Sequence, residues 1–290
     1  MFGELLGLCL AQSWIAQDAP SAFTLAELGP GRGTLMADIL RATRNVPGFI
    51  EAARITLVEA SPTLRDVQAK TLAGHQVIWA DGTDALPDQP LFLVANEFFD
   101  ALPIRQFVRG DTSWRERQVG LADGRVELWA GAHRLADTTP GDLVEDCTQL
   151  APILHHVSER IATHGGAALI VDYGDWHSLG DTLQALQGHE KADPLAAPGQ
   201  ADLTAHVDFE KLALAAAPAS HTRITPQGVF LERLGITQRA QTLAKGMTED
   251  ALNAHVAAHR RLTHPSEMGN LFKVMGIYPP HHSPPPGLEP

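Results

Sequence analysis

Residues 26–36 read AELGPGRGTLM. Glycines stand at alternate positions, Gly29, Gly31 and Gly33, and an acid, Glu27, lies two residues before the first. The run leading in, FTLAELG (23–29), is apolar enough for a short buried strand. The run leading out, TLMADILRATR (34–44), sets Leu35, Met36, Ile39 and Leu40 at helical spacing. A strand that enters a helix through a glycine turn aims backbone N–H groups and the positive end of the helix at whatever lies beyond. Such a turn also tolerates left-handed backbone and close approach, because glycine has no Cβ.

The same alternation continues along the chain. RITLVEA (54–60) is a buried strand ending in Glu59, and SPTLRDVQAKTLA (61–73) is a helix with Ser61 as N-cap and Pro62 at its first position. QVIWAD (76–81) and LFLVANE (91–97) follow as strands, and a helix at 2–17 precedes the set. Strands alternating with helices predict an α/β fold with a parallel sheet covered on both faces. Right-handed crossovers then bring every strand's C-terminal end to one rim. The turn at Gly29–Gly33, Glu59, Asp81, Asn96 and Glu97 all fall there, where open α/β sheets bind ligands.

After Pro103 the pattern changes. RQFVRGDTSWRERQVGLADGRVELWA holds three strand-like runs split by turn signals, an expected antiparallel meander. A helix is expected at about 143–162 and a strand at 167–174 (AALIVDYG). A loop-rich stretch at 174–205 follows, then helices at 207–217, 227–246 (broken at Gly235-Ile236) and 247–262, and a last strand at 270–277. The tail YPPHHSPPPGLEP reads as Pro-rich and disordered.

The chain has 290 residues, 44% apolar and 19% charged, enough for a sizeable core. Its net charge of −12, without a Lys/Arg cluster, argues against nucleic acid and suits a basic protein or peptide. Two distant cysteines form no disulfide framework or metal motif, and scattered histidines add none, so a reducing compartment and no metal are expected. No run reaches the roughly 18 apolar residues of a membrane helix, and the start has no basic n-region.

The glycine spacing separates two ligands. Dinucleotide folds use G-x-G-x-x-G around a pyrophosphate. Here the third glycine comes one residue early, and G-x-G-x-G with Glu27 ahead resembles the first motif of class I S-adenosylmethionine methyltransferases. In that resemblance the turn wraps the methionyl part of the cofactor, Glu59 takes the ribose hydroxyls and Asp81 faces the adenine. A carboxylate suits the ribose because it only accepts, and the sugar offers two donors. The plainer alternative is a tight turn and nothing more.

NEFFDALP (96–103) ends the fourth strand, and Asn96, Glu97 and Asp100 are the candidate catalytic residues. Two carboxylates within one turn suit a guanidinium acceptor, which stays protonated and needs one edge of its fork held so that the other nitrogen attacks. The alternative makes the acids helix N-terminal residues favoured by the dipole. Phe98 and Phe99 read as core, and Asp172 and Tyr173 of DYGD are open between channel lining and packing.

ELGPGRGTLMADILRA, VEASPTLRDVQ, NEFFDALPIRQF, GGAALIVDYG, PGQADLTAHVDF and MGNLFKVMGI together resemble the MidA family, that of the mitochondrial complex I assembly methyltransferase, over residues 1 to about 277. The resemblance implies a Rossmann-like class I methyltransferase sheet with an added meander and helical portion. It implies one domain over 1–277, with its core at about 20–110 and 143–175 and insertions at 104–142 and 176–265. S-adenosyl-L-methionine is then the cofactor, with the binding role on Glu27, Gly29, Gly31, Gly33 and Glu59, joined by Asp81 and Asn96. The acceptor becomes a protein arginine and the partner a respiratory-complex subunit. The place of work is the cytoplasm of a bacterium or the mitochondrial matrix of a eukaryote. Family members carry a segment ahead of MFGEL that helps close the cofactor pocket, and the expectation is a chain lacking it. Two rivals stay open: a methyltransferase on another acceptor, and an assembly factor with a vestigial cofactor pocket.

Overall fold

The computed structural model describes residues 1–119, 138–188, 190–196 and 198–290. Its first part is a series of strand–helix units. After α1 (Phe2–Ala16), β1 (Phe23–Leu28) passes through the glycine turn into α2 (Thr34–Thr43). A short α3 (Phe49–Ala52) returns to β2 (Ala53–Val58), α4 (Pro62–Thr71) to β3 (Val77–Ala80), and a 3-10 turn at Thr83–Ala85 precedes β4 (Leu91–Asn96). As expected, α4 begins with the Ser61 hydroxyl accepting the Leu64 N–H and with Pro62 in the first turn, where no N–H is missed.

β5 (Arg105–Arg109), β6 (Trp114–Arg117) and β7 (Leu143–Asp146) form a separate antiparallel sheet in the order β6-β5-β7. The third expected run of the meander, RVELWA, lies outside the described residues. The helix expected from residue 143 starts later. LVED instead pairs with β5 as β7, and α5 occupies Leu150–His164. β8 (Gly166–Asp175) follows. The stretch expected to be loop then folds into a small sheet of β9 (Gln184–Gln187), β10 (Glu190–Ala192) and β11 (Asp202–Thr204). Short pieces come next: β12 (Val207–Asp208), α6 (Phe209–Ala215), β13 (Ser220–His221) and β14 (Thr225–Pro226). α7 (Gln227–Arg233) and α8 (Ile236–Ala244) meet at Gly235 in left-handed backbone, and α9 (Glu249–Thr263), α10 (Met268–Leu271) and β15 (Phe272–Tyr278) complete the order.

The main sheet runs β13-β15-β8-β4-β1-β2-β3, parallel from β8 to β3, with β15 antiparallel beside β8. Alternate residues serve opposite layers, as the two-residue period of a strand demands. Phe23, Leu25, Phe92, Val94, Leu169 and Val171 face α1, α2 and α7. Ala26, Leu28, Leu93, Ala95, Ala168 and Ile170 face α5 and α6. In the first layer Trp14, Phe23, Phe49 and Phe92 stack at centroid distances of 5.0–6.0 Å, tilted or edge-on, worth about 0.5–1.5 kcal/mol per pair beyond their burial.

α1 lies against α2 through Gly3 and Gly7, and a Cβ on Gly7 would stand 3.0 Å from Ile39 Cα. It is buried on most sides, and its buried Glu4 pairs with Arg239 of α8 at 2.6 Å. The stretch expected as an insertion at 176–265 gives Phe209, Leu212, Phe230 and Leu231 to the core.

The Pro-rich tail is not disordered. Leu288 is buried against Gly276, Gly287 packs on Phe230, and the Arg223 N–H donates to the Glu289 carbonyl at 3.0 Å. Prolines remove donors and restrict φ but do not prevent packing, and here Pro285 and Leu288 are buried and anchor the segment. Among the described residues no helix is long and apolar enough to cross a membrane.

Candidate active site

The three glycines do three different jobs. All have positive φ, at 59°, 52° and 77° for Gly29, Gly31 and Gly33, a region that other residues enter only at a cost. A Cβ on Gly29 would lie 2.8 Å from the ring of Phe98, so that space is filled from within the protein. A Cβ on Gly31 would meet nothing within 4 Å. Gly31 is therefore the glycine open to a ligand. Gly33 caps α2, with Gln68 at ordinary contact distance. The turn is pinned by Gly29 N–H to the Val58 carbonyl (3.1 Å) and Gly33 N–H to the Pro30 carbonyl (2.7 Å).

Glu27 lies under this turn, 3% exposed, with Oε2 unpartnered among the described residues. Burial pushes its carboxyl up to about 8, opposed in part by the Met36 backbone N–H. Glu59 is held at both oxygens, Oε1 accepting from the Ser61 N–H (2.8 Å) and Oε2 from the Gln68 amide (3.1 Å). A carboxylate has about four lone-pair sites, so room for two further donors remains. Arg65 donates to the Glu59 carbonyl and pairs with Asp81 at 2.6 Å, tying the ends of β2 and β3 together. Asp81 itself points outward, its side chain 91% exposed.

Gln68 escaped sequence reading. It is the one buried residue of α4. Its amide donates to the Gly31 carbonyl (2.9 Å) and to Glu59, and its oxygen accepts from Trp79 Nε1 (2.8 Å). One side chain thereby joins the turn, the acid of β2 and the strand β3. The available signal was an amide on a helix whose other residues are exposed or half-buried.

On the other side of the turn, Glu97 ends β4 with φ at 49°, its N–H donating to Val171 and its side chain exposed. Asn96 is half-buried, its amide 3.4 Å from Glu97 Oε1. Asp100 is buried with Oδ1 unpartnered among the described residues, and burial, then the charge of Glu97, push its carboxyl up to about 6. Phe99 is core and Phe98 is the ring packed on Gly29. Asp172 is fully buried. Its Oδ2 accepts the N–H groups of Phe98 (3.2 Å), Phe99 (3.0 Å) and Asp100 (3.3 Å), and Oδ1 that of Tyr173 (3.0 Å). The Tyr173 hydroxyl accepts from Gln184 at 3.1 Å, and its ring meets His206 edge-on. Phe98 thus joins the two halves of the rim: glycines, Glu27 and Glu59 on one side, Asn96, Glu97 and Asp100 on the other.

A family model for S-adenosyl-L-methionine-dependent methyltransferases matches residues 5–227. The chain belongs to that family. Among curated relatives, Protein arginine methyltransferase NDUFAF7, mitochondrial, of Danio rerio is 35% identical over 96% of this chain and 74% of its own length. The human protein of that name is 33% identical over 96% of this chain and 71% of its own. The crystal structure of a Burkholderia thailandensis protein bound to S-adenosyl-homocysteine superposes with a TM-score of 0.79 at 29% identity, covering 96% of this chain and 76% of that one.

S-adenosylmethionine is the cofactor of this methyltransferase, and the residues present fit it. Gly31 leaves a backbone surface that no side chain among the described residues occupies, Glu59 keeps free acceptor sites, and the orphaned Glu27 oxygen lies beneath. Beyond the C-terminal end of β8, His177, Asp208 and Glu210 place ligand-type atoms within 4.8 Å of one another. They are already engaged, His177 with Glu210 at 3.0 Å and Asp208 as cap of α6.

Proposed function

We propose that this methyltransferase modifies arginine side chains of a partner protein, with Gly31, Glu59 and Asn96 at the cofactor and Glu97 and Asp100 at the acceptor. The observation that carries the reading is the joining of two carboxylates, Glu97 and Asp100, to the glycine turn through Phe98. The cofactor supplies an electrophilic methyl group on a sulfonium sulfur. A guanidinium stays protonated in water and is a poor nucleophile. The exposed Glu97 carboxylate accepts along one edge of the fork and leaves the other nitrogen facing the cofactor side. Asp100 takes up the proton that the acceptor gives up, and a carboxyl with a midpoint of about 6 is mostly ionised at neutral pH yet holds a proton better than an ordinary aspartate.

The two relatives named as protein arginine methyltransferases support arginine as acceptor, and the net charge of −12 suits a basic partner. A respiratory-complex subunit is the partner we favour, reached in the matrix of a mitochondrion or the cytoplasm of a bacterium. The experiment is methyl transfer from radiolabelled cofactor into protein, followed by acid hydrolysis and separation of amino acids. Label is expected in methylarginines. Label confined to another residue or to small molecules overturns the acceptor, and no transfer by a folded, cofactor-binding enzyme favours an assembly role instead.

A further inference from the structure

Asp172 is an ionisable side chain with no exposure, and the chemistry described so far does not use it. It lies at the C-terminal end of β8, on the face opposite α1 and α2, and its Oδ2 accepts three successive backbone N–H groups, those of residues 98, 99 and 100. Consecutive amides converging on one oxygen form an anion-binding concavity. The segment they belong to begins at Glu97, whose φ of 49° is unusual for a residue with a side chain. Such backbone persists only where surrounding contacts over-determine it, and it gathers at functional sites. Here the over-determination is visible: Glu97 N–H is tied to Val171, and the next three N–H groups to Asp172.

We propose that Asp172 is a positioning residue of the methyl-acceptor site, fastening the loop that carries Glu97 and Asp100 so that both carboxylates meet the acceptor together. It touches neither acceptor nor cofactor and acts through the loop. The proposal deepens the reading above and rests on it for the identity of the acceptor. Asp100 faces Glu97 from its own loop, Asp172 and Tyr173 from β8, and the segment before β12 brings His206 against Tyr173. Lys273 of β15 stands opposite Asp172 in register but is engaged by the carbonyls of Gly174 and Asn270. Burial and Asp100 raise the proton affinity of Asp172, while its four backbone donors favour the ionised form.

The test compares wild type with Asp172→Asn and Asp172→Glu. Three readouts are followed: affinity for S-adenosylhomocysteine, turnover on an arginine–glycine repeat peptide per folded molecule, and the titration midpoint of Asp100 by carbonyl-labelled NMR, assigned with Asp100→Asn. Asp172→Asn is expected to bind S-adenosylhomocysteine within about twofold of wild type and to lose at least about tenfold in turnover. Its Asp100 midpoint should shift, because the loop that sets the burial of Asp100 and its distance from Glu97 is released. Asp172→Glu keeps a carboxyl but not its position under the three N–H groups, so turnover should stay low and the midpoint should shift as well. A lowered melting temperature with turnover and midpoint unchanged makes Asp172 a purely structural residue and overturns the proposal. If Asp172→Asn does not fold, wild-type turnover in Asp172→Glu overturns it and reduced turnover supports it. If the wild type does not act on the peptide, the arginine reading fails separately. The Asp100 midpoint and the Glu97 φ in a crystal structure of Asp172→Asn then decide: both changed supports the positioning role, both unchanged sinks it.

Discussion

The ring of Phe98 occupies the space that a side chain on Gly29 would need, its Cδ2 2.8 Å from where that Cβ would lie. The loop at the end of β4 therefore rests on the turn at the end of β1, and the acceptor acids are placed relative to the cofactor turn by direct packing.

Substitutions at the two glycines should separate stability from binding. Gly29→Ala meets both left-handed strain and the Phe98 ring, an expected loss of about 2–4 kcal/mol in urea unfolding. Gly31→Ala meets strain alone, about 1 kcal/mol, but fills the open side of the turn. Calorimetry with S-adenosylhomocysteine should show at least about a tenfold weaker complex for Gly31→Ala. Equal affinity with wild type would mean that the ligand lies elsewhere.

Glu59 and Gln68 should behave as one unit. Glu59→Ala removes the acceptor for the sugar hydroxyls, and bonds to charged groups are worth about 1.5–3 kcal/mol, roughly ten- to a hundredfold in affinity. Gln68→Leu leaves the Gly31 carbonyl and Trp79 N–H without partners and frees one side of Glu59. A several-fold loss of affinity and about 1–3 kcal/mol of stability are expected. Binding losses in the double variant should be less than additive, and strict additivity would argue against a shared role.

Glu27 predicts a pH dependence. Its carboxyl is raised to about 8 in the folded protein, against about 4.3 in an unfolded chain. The folded state therefore favours the neutral acid, and the stability this contributes is present below about pH 4 and lost as pH rises through about 8. Unfolding free energy measured across that range should slope downward, at up to about 1.4 kcal/mol per pH unit. Glu27→Gln should flatten the slope, and an unchanged slope would place the titration elsewhere.

The tail offers a stability test. Leu288 is 7% exposed and belongs to the core on the α1 and α7 face. Leu288→Ala should cost about 2–3 kcal/mol, measured by denaturant titration, where a loose tail would cost nothing.

Much of this was legible in residue order. The β1–α2 unit, the Ser61-Pro62 start of α4 and the break at Gly235 follow from local rules, and local rules held there because burial and periodicity agree. The boundary at residue 143 was missed because Leu143 and Val144 suit a strand and the start of a helix equally, and pairing with Val108 and Phe107 of β5 decided it. The small sheet β9–β11 has strands of three or four residues, too short to show a period. Gln68 and Asp172 take their meaning from partners far away in sequence, Gly31 and the amides of 98–100, which no window of residues contains. Composition misled at the tail, where proline content outweighed the anchoring of Pro285 and Leu288.

The place of β15 in the main sheet has a consequence for biosynthesis. β8 and its partner β4 are both complete by residue 175, but its other neighbour, Phe272–Tyr278, is made only after α6 to α10. At about 5–20 residues per second, that flank of β8 stays largely uncovered for on the order of 5–20 s. It is an apolar strand with unpaired backbone groups, the kind of surface on which nascent chains cross-associate. Slowed translation between Asp175 and Phe272 should therefore raise the fraction of chains that aggregate, and a holdase that shields this strand during synthesis should lower it.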